Sequence, residues 1–491
     1  MQLKLPASGA RAGKMALPCS IAHADGKEVC RMGMQEKFAK SYTEAEHLLE
    51  EVPRFTKKNP LEDTRGFYEF IQNCEHGRYC EARLGRIIHV AGTNGKGSVC
   101  AFLESICRKS GYRTAMFTSP HLVTTRERFC IDGSMISEEA FLEAFNWLTD
   151  QIEQYRSVNS EYCPTYFERL FFMGIYVFAR ADVKVTILET GLGGRLDTTN
   201  VVRCPAVCVI TEIGLDHMAY LGDTIEQIAA EKAGILKVGV PVVFSDRKSA
   251  ASAIICKKAQ ELGCACHRVS ENDYKINEIQ KKFIDFSVVS RYYGYGRLIA
   301  GTTAAYQAEN AAVAIRTVEV LQQHKLEKIT AASIREGIRA MRWACRMEEL
   351  RPGVFVDGAH NEDGIEAFVQ SLRLNQELSG EHLHAQRCVV IFSVVSDKQY
   401  EPMIRMLCGL EMATDFVVTQ IPGERGADLE TLCILFEKYM DKRTQKIHTY
   451  EKIEDALAFG LSVRGNTGRI YIVGSLYLAG LVESVMEDYD D

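Results

Sequence analysis

A glycine-rich loop at residues 92–98, with the sequence G-T-N-G-K-G-S, combines the residue types that bind phosphate groups. It follows a β-branched run at 86–90 and precedes a stretch whose apolar residues recur with helical spacing from Val99 to Ile106. Glycines let backbone N–H groups turn inward around phosphate oxygens, and the start of a helix adds partial positive charge. Lys96 supplies a full cation for the β- and γ-phosphates. The loop therefore predicts a nucleotide-phosphate site.

The match to the common phosphate-loop pattern, G-x-x-x-x-G-K-[ST], is incomplete. Val90 stands where the pattern has its first glycine, and Gly97 separates Lys96 from Ser98. A glycine turn with a purely structural role is the alternative interpretation. The strand before the loop and the helix after it favour the phosphate site.

Polar residues also follow three later apolar runs. Ser119 comes after the run at 114–117, Glu189 after 183–188, and His217 after 206–211. Because parallel strands of an open sheet present their carboxyl ends at one edge, these side chains should lie near the loop. Each residue taken alone also has a structural explanation. Ser119 would be a turn residue before a proline, Glu189 a solvated strand end and His217 a core histidine.

The elements that must position these residues alternate between strands and helices. Such alternation predicts an α/β fold in which helices cover both faces of a parallel sheet. Predicted strands are 86–90, 114–117, 183–188, 206–211 and 241–244, then 354–356, 388–392, 415–419 and 470–473, and predicted helices include 138–154, 167–178 and 304–323. A T-x-x-E pattern at Thr43 predicts the start of the first helix. We place a domain boundary near Arg342.

Composition bounds the class of protein. The 491 residues are 46% hydrophobic, which excludes a disordered chain, and no apolar run is long enough to span a membrane. The net charge of −7 argues against nonspecific binding to nucleic acid or anionic membranes. The 17 irregularly spaced cysteines favour a reducing compartment, and we predict a cytoplasmic protein. Residues 1–33 are predicted to be a disordered extension, with an organellar targeting segment as the alternative.

Further motifs follow the loop in a fixed order. They are T-S-P-H-L at 118–122, E-T-G-L-G-G-R-L-D-T-T-N at 189–200, G-L-D-H at 214–217, E-K-A-G-I at 231–235, D-G-A-H-N at 357–361 and G-S-L-Y-L at 474–478. Together they resemble folylpolyglutamate synthase and its bifunctional dihydrofolate synthase relatives, in the Mur ligase superfamily, over about residues 36–480. The resemblance implies a P-loop-containing parallel-sheet domain that binds ATP and Mg²⁺ and carries a folate loop, at 34–341. A smaller Rossmann-like glutamate-ligase domain would follow at 342–491.

The resemblance also implies an activity. An ATP-dependent ligase would join the amine of glutamate to a folate carboxylate through an acyl phosphate, and two Mg²⁺ ions would assist. The Mg²⁺ ligands would be Ser119, Glu189, His217 and Lys232, the last as a carbamate. The predicted catalytic residues are Lys96, Lys232 and His360. A surface pair with Glu231 is the alternative for Lys232.

The remaining site residues are implied by the same resemblance. Predicted ATP-binding residues are Gly92, Thr93, Asn94, Gly95, Lys96, Gly97, Ser98, Gln307, Asn310, Arg346 and Asp357. Predicted folate and glutamate contacts are Arg128, Phe167, His360 and Ser475. Ordinary packing is the alternative for the helix that carries Gln307 and for Phe167. We expect a monomer that binds small-molecule substrates, without nucleic acid or membrane partners.

The chain departs from the family pattern at four positions. Tyr306, Cys345, Glu362 and Ser393 stand where His, Gly, Pro and Gly are usual. Two other functions are alternatives: a cell-wall Mur ligase, disfavoured by the short stretch before Gly92, and a nucleotide-dependent switch. Whether dihydropteroate is also a substrate is left open by the sequence.

Overall fold

The computed structural model describes residues 37–52, 59–280, 282–290, 292–322, 326–379, 387–423 and 425–488. The predicted extension at 1–33 lies outside these residues. The strands are β1 (Arg86–Ala91), β2 (Thr114–Phe117), β3 (Phe129–Ile131), β4 (Ser134–Met135), β5 (Val185–Glu189), β6 (Val207–Ile210), β7 (Val242–Ser245), β8 (Cys266–Val269), β9 (Tyr274–Gln280), β10 (Phe283–Val288), β11 (Leu298–Ala300), β12 (Glu348–Arg351), β13 (Val354–Val356), β14 (Cys388–Phe392), β15 (Asp415–Thr419), β16 (Lys446–Tyr450) and β17 (Arg469–Val473).

The helices alternate with these strands over most of the described chain. They are α1 (Tyr42–Glu50), α2 (Leu61–Asn73), α3 (Lys96–Lys109), α4 (Glu138–Tyr155), α5 (Tyr166–Arg180), α6 (Met218–Leu221), α7 (Ile225–Ala233), α8 (Ser249–Glu261), α9 (Gln307–Gln322), α10 (Ala331–Ala340), α11 (Glu362–Ser379), α12 (Tyr400–Cys408), α13 (Leu429–Tyr439), α14 (Ile453–Arg464) and α15 (Leu476–Asp488). In the part of the chain that the structure describes, none of them is long and apolar enough to cross a membrane.

The first sheet has eight strands in the order β4-β3-β2-β5-β1-β6-β7-β8, and β2, β5, β1, β6, β7 and β8 run parallel. Its central strand β1 is buried on both faces: Ile88 belongs to the core that includes residues of α3, α9 and α10, whereas Ile87 belongs to the core that includes residues of α1, α2, α4 and α5. Val90 pairs with Glu189, and Ala91 pairs with Ile210. The glycine loop therefore leaves the sheet between the ends of β5 and β6.

The second half of the chain forms a six-stranded sheet in the order β12-β13-β17-β14-β15-β16, parallel except for β12. Alternate residues of β14 enter two different cores, Val390 in one and Ile391 in the other, so helices cover both faces. The predicted α/β fold with two parallel sheets is confirmed.

Two features differ from the sequence-based expectations. The first helix begins at Tyr42, and Ser41 caps it by accepting from the backbone N–H of Glu44, so the capping pattern predicted at Thr43 is wrong. A three-stranded antiparallel sheet, β9 to β11, was not predicted. It packs with α9 and α10 through Ile284, Phe286 and Leu298.

Candidate active site

One cavity of about 1400 Å³ lies at the carboxyl ends of the strands of the first sheet, and residues from the second half of the chain line it as well. Among the predicted site residues, Gln307 alone does not line it. The ends of β2, β5 and β6 bring Ser119, Glu189 and His217 to it, as the parallel arrangement predicts.

The glycine loop is held against the end of β6. The backbone N–H groups of Thr93 and Asn94 donate to the carbonyl oxygen of Glu212 at 2.8 and 3.3 Å. These two N–H groups are therefore engaged within the protein. The N–H groups in the first turn of α3 remain available to an anion, because the first turn of a helix has no internal acceptors. The N-terminus of α3, which begins at Lys96, is thus the part of the loop whose N–H groups could bind an anion.

Gly95 caps α3 with a φ of 81°, in the left-handed region that favours glycine. A Cβ atom at this position would lie 2.3 Å from Oδ1 of Asn310. Asn310 in turn donates to Gln307 at 2.9 Å, and Nε2 of Gln307 donates to the hydroxyl of Ser98 at 3.2 Å. Gln307 is therefore buried behind the loop and supports it, which differs from the direct ATP contact that was predicted.

Two lysines, one in the loop and one buried beside it, donate to carbonyl oxygens of the loop. Nζ of Lys96 donates to the carbonyl of Thr93 at 3.2 Å, and Nζ of Lys232 donates to the carbonyl of Gly92 at 2.7 Å. Burial lowers the pKa of Lys232 to about 7, and the nearby charge of Lys96 adds to this effect. Glu231 instead pairs with Arg195 at 2.8 Å, so the alternative of a Glu231–Lys232 surface pair is wrong.

Glu189 is a buried carboxylate at the end of β5. Its Oε2 accepts from the backbone N–H of Ser119 at 3.0 Å. Burial raises its pKa, while the charge of Lys96 partly offsets that effect. His217 lies beyond β6 with a φ of 51°, and burial lowers its pKa to about 4. Its imidazole is therefore neutral near pH 7 and keeps a lone pair for a ligand.

Asp216, which was not among the predicted site residues, joins the two halves of the chain. Its Oδ1 lies 2.5 Å from Nζ of Lys398, and its Oδ2 accepts from Nδ2 of Asn361 at 3.1 Å. Nε2 of His360 lies 3.7 Å from the same Oδ2. Burial opposes ionisation of Asp216, but the nearby imidazole of His360 and the charge of Lys398 outweigh it and hold the pKa well below its usual range.

Asp357 follows β13, is buried and lines the cavity. It accepts hydrogen bonds from the hydroxyl of Tyr306 at 2.5 Å and from the backbone N–H groups of Met347 and Ala359 at 3.0 and 2.9 Å. Burial raises its pKa, and the charge of Arg346 acts against the rise. These contacts fix the carboxylate beside the cavity.

Cys345 occupies the position where glycine is usual in the family, with a φ of 55°. Only glycine adopts that left-handed region readily, which accounts for the usual residue. The backbone is held there because the N–H of Cys345 donates to Glu348 at 2.8 Å and its carbonyl accepts from Nη1 of Arg346 at 2.8 Å. The carbonyl of Cys345 therefore holds Arg346 although this position carries a side chain.

The predicted substrate residues lie along another part of the cavity wall. Nε of Arg128 approaches Nδ1 of His121 at 3.0 Å, and its guanidinium lies 5.9 Å from the centroid of the Tyr166 ring. Phe167 is half-buried, with its ring 5.7 Å from that of Phe117. Phe167 therefore packs against the core with one part of its ring and also lines the cavity.

Ser475 is buried, and its hydroxyl accepts from the backbone N–H of Tyr477 at 3.1 Å, which caps α15. His360 bonds through Nδ1 to the carbonyl of Gly358 at 2.8 Å, so its Nε2 is directed to the side where Asp216 lies. Both residues line the cavity from the second half of the chain.

Comparisons with known proteins agree with this geometry. A family model described as the Mur ligase middle domain matches residues 90–318. The dihydrofolate synthase/folylpolyglutamate synthase of Bacillus subtilis is 34% identical over 414 residues, which cover 81% of this chain and 90% of that protein. The folylpolyglutamate synthase of Lacticaseibacillus casei is 30% identical over 462 residues, covering 91% and 99%.

A solved structure of Mycobacterium tuberculosis folylpolyglutamate synthase complexed with ADP has a TM-score of 0.76 at 27% identity, and the match covers 90% of this chain and 98% of that one. Fold and site together define an ATP-dependent ligase of the Mur type. Within that class, the chain belongs to the folylpolyglutamate synthase/dihydrofolate synthase family. The comparisons support this family over a cell-wall ligase or a nucleotide-dependent switch.

Proposed function

We propose that this chain adds L-glutamate to the carboxylate of a tetrahydrofolate or related folate, with ATP as the source of the phosphoryl group. The observation that carries the proposal is that one cavity is lined by the phosphate loop, the buried carboxylate of Glu189 and the residues Arg128, His360 and Ser475. Its relatives are named for this activity. Dihydropteroate is a second candidate substrate, because one of those relatives is also named a dihydrofolate synthase.

In the proposed reaction, an oxygen of the folate carboxylate attacks the γ-phosphorus of ATP and ADP leaves. The amine of glutamate, after losing a proton, attacks the carbonyl carbon of the acyl phosphate, and inorganic phosphate departs with the C–O bond electrons. The first step brings two anions together. We assign Lys96, the start of α3 and Arg346 to neutralise the phosphates, because all three face the cavity.

The residues at the ends of β2, β5 and β6 fit a divalent cation. Glu189 offers a buried carboxylate whose Oε2 bonds to a backbone N–H, Ser119 a hydroxyl and His217 a neutral imidazole. We propose that these three hold Mg²⁺. When bound, Mg²⁺ supplies positive charge to the nucleotide phosphates. The carboxylate and hydroxyl match its preference for oxygen, and the histidine is the less typical ligand.

Lys232 has the properties that carbamylation requires. The reaction with CO₂ needs a neutral amine, and burial lowers its pKa to about 7. We propose a carbamate on Nζ that would be a ligand for a second Mg²⁺. Intact mass after isolation in bicarbonate should show the added mass of one CO₂. Lys232→Arg should remove that mass, and an unmodified wild-type chain would refute the carbamate.

For the substrates, we propose that Arg128 and Phe167 contact the folate and that His360 and Ser475 contact glutamate. A dicarboxylate with an amine needs hydrogen-bond donors and a cation in its pocket, and a pterin ring needs a flat apolar surface.

We further propose the domain division at Arg342 and a cytoplasmic monomer. Size-exclusion chromatography with light scattering would test the monomer.

The decisive test offers the purified protein ATP and glutamate with either dihydropteroate or a reduced folate, and measures ADP together with the mass of the product. We expect ADP release that depends on both glutamate and the folate. Lys96→Ala should abolish turnover while the far-ultraviolet circular dichroism stays unchanged, because it removes a phosphate cation and little core. Turnover of neither acceptor by the wild type would refute the proposed function.

A further inference from the structure

Asn361 makes contacts in both halves of the chain that fix the orientation of its amide. Its Oδ1 accepts from the backbone N–H of Gly364 at 2.8 Å, at the start of α11. The two hydrogens on Nδ2 are then directed to Oδ2 of Asp216 at 3.1 Å and to Oδ1 of Asn94 at 3.0 Å. Both N–H groups and the oxygen of this buried amide are engaged, so an amide flip would place like groups against each other.

The contact with Asn361 also determines the orientation of Asn94 in the phosphate loop. Because Oδ1 of Asn94 accepts from Asn361, the Nδ2 group of Asn94 is the free end of the amide. That Nδ2 is buried and has no hydrogen-bond partner among the described residues. A buried donor without a partner is costly, and Asn94 lines the cavity next to Lys96. An anion bound in this part of the cavity would supply the acceptor that this donor lacks.

We propose that Asn361 is a positioning residue, which sets the amide of Asn94 so that Nδ2 is offered to a phosphate oxygen of the nucleotide. This inference rests on the proposed function, because the anion is taken to be the nucleotide phosphate. The orientation of a donor in the phosphate loop thus depends on a residue from the second half of the chain. Without Asn361, either end of the Asn94 amide can face the cavity, and the oxygen end repels a phosphate.

A double-mutant cycle on binding of a fluorescent, non-hydrolysable ATP analogue tests this. Asn361→Ser retains an oxygen that caps α11 but loses the donor to Asn94. We expect Asn94→Ala and Asn361→Ser each to weaken binding about tenfold, which is typical of one hydrogen bond to a charged group. The double variant should also bind about tenfold more weakly, because both changes remove one interaction. Losses that multiply to about a hundredfold, or wild-type binding by Asn361→Ser, would overturn the proposal.

Two further variants keep the test independent of folding and capping. Asn361→Asp preserves shape and helix cap but replaces the donor with an acceptor, so the Asn94 amide must turn round, and binding should fall at least as far. Asp428 caps α13, which is not at the cavity, and its Oδ2 accepts from the backbone N–H of Thr431 at 2.8 Å. Asp428→Ser changes this cap and should bind the analogue like the wild type. An Asn361→Asp protein that binds normally would also refute the role.

The cycle can be separated from the proposed function itself. Absence of glutamate-dependent ADP release in the wild type would refute the ligase activity, whereas binding of the ATP analogue would still report on Asn361. In an active wild type, kcat should follow the same non-multiplicative pattern. A purely structural role of Asn361 would lower the melting temperature and leave the two binding losses independent of each other.

Discussion

The hydroxyl of Tyr306 donates to Oδ2 of Asp357 at 2.5 Å, linking the start of α9 to the end of β13. Tyr306 stands where the family pattern has histidine. The hydrogen bond stabilises the ionised form of a carboxylate whose pKa burial raises. The tyrosine at this position therefore gives Asp357 a hydrogen-bond donor.

Tyr306→Phe should move the acidic limb of the pH–rate profile to higher pH. Without the donor, the pKa of Asp357 rises further, and the ionised form is lost at a higher pH as the solution is acidified. The profile of kcat/KM between pH 5 and pH 9 measures the shift. Tyr439→Phe removes a comparable hydroxyl that donates to the exposed Glu401 at 2.6 Å, and its profile should match the wild type. Identical profiles for all three proteins would contradict the role of Tyr306.

Lys398→Met should destabilise the fold as well as reduce activity. The Lys398–Asp216 pair is nearly buried, and removal of the cation leaves a buried carboxylate with weaker compensation. We expect the free energy of unfolding to fall by about 3 kcal/mol, measured by urea denaturation. Lys438→Met breaks an exposed pair with Glu401 at 2.8 Å and should cause no measurable change. Equal effects of the two substitutions would refute the importance of the buried pair.

Gly95→Ala should eliminate nucleotide binding, because the new Cβ would lie 2.3 Å from Oδ1 of Asn310 in a residue with φ of 81°. Gly111→Ala is the matched control: its φ is 75°, and no atom lies within 4 Å of the added Cβ. Both variants should lose about 1 kcal/mol of stability from left-handed backbone strain. Isothermal titration with an ATP analogue should detect binding in Gly111→Ala alone, and equal affinities would argue against the close approach of Asn310.

Lys232 should make stability depend on pH in the alkaline range. Its pKa is lowered from 10.5 to about 7, so between these values the unfolded chain binds a proton that the folded chain does not. Stability should therefore rise with pH across this window, by up to about 1.4 kcal/mol per pH unit. Lys232→Met should flatten this dependence. Urea unfolding in bicarbonate-free buffer with a chelator measures both slopes, and parallel curves would contradict the lowered pKa.

Local sequence patterns were sufficient for the buried strands and the loop. The runs at 354–356, 388–392 and 415–419 coincide with β13, β14 and β15, because strands buried on both faces read as continuous apolar runs. The antiparallel strand β9 gives no such signal, since exposed and half-buried residues alternate from Tyr274 to Asn277. The edge strand β16 is missed for the same reason, as it is nowhere fully buried.

The residues that line the cavity were predictable one by one, but the hydrogen-bond network that joins them was not. Strand ends indicated Glu189 and His217, because one local rule places polar residues there. Asp216 was passed over because its partners Asn361 and Lys398 lie 145 and 182 positions away. No spacing rule links residues so far apart. An aspartate that follows a strand and directly precedes a histidine predicted to bind metal is the signal that could have drawn attention to it.

The bonds that converge on Asp216 also constrain recombination between relatives. Its partners come from two separate loops of the second half, one ending at Asn361 and the other containing Lys398. A chimaera with a crossover between these two residues would combine an aspartate and an amide from one parent with an ammonium group from the other. Exchange of the entire second half keeps both partners together but pairs them with a foreign carboxylate. A recombinant protein therefore retains these contacts only if Asp216, Asn361 and Lys398 are compatible with one another, although they lie far apart in the sequence.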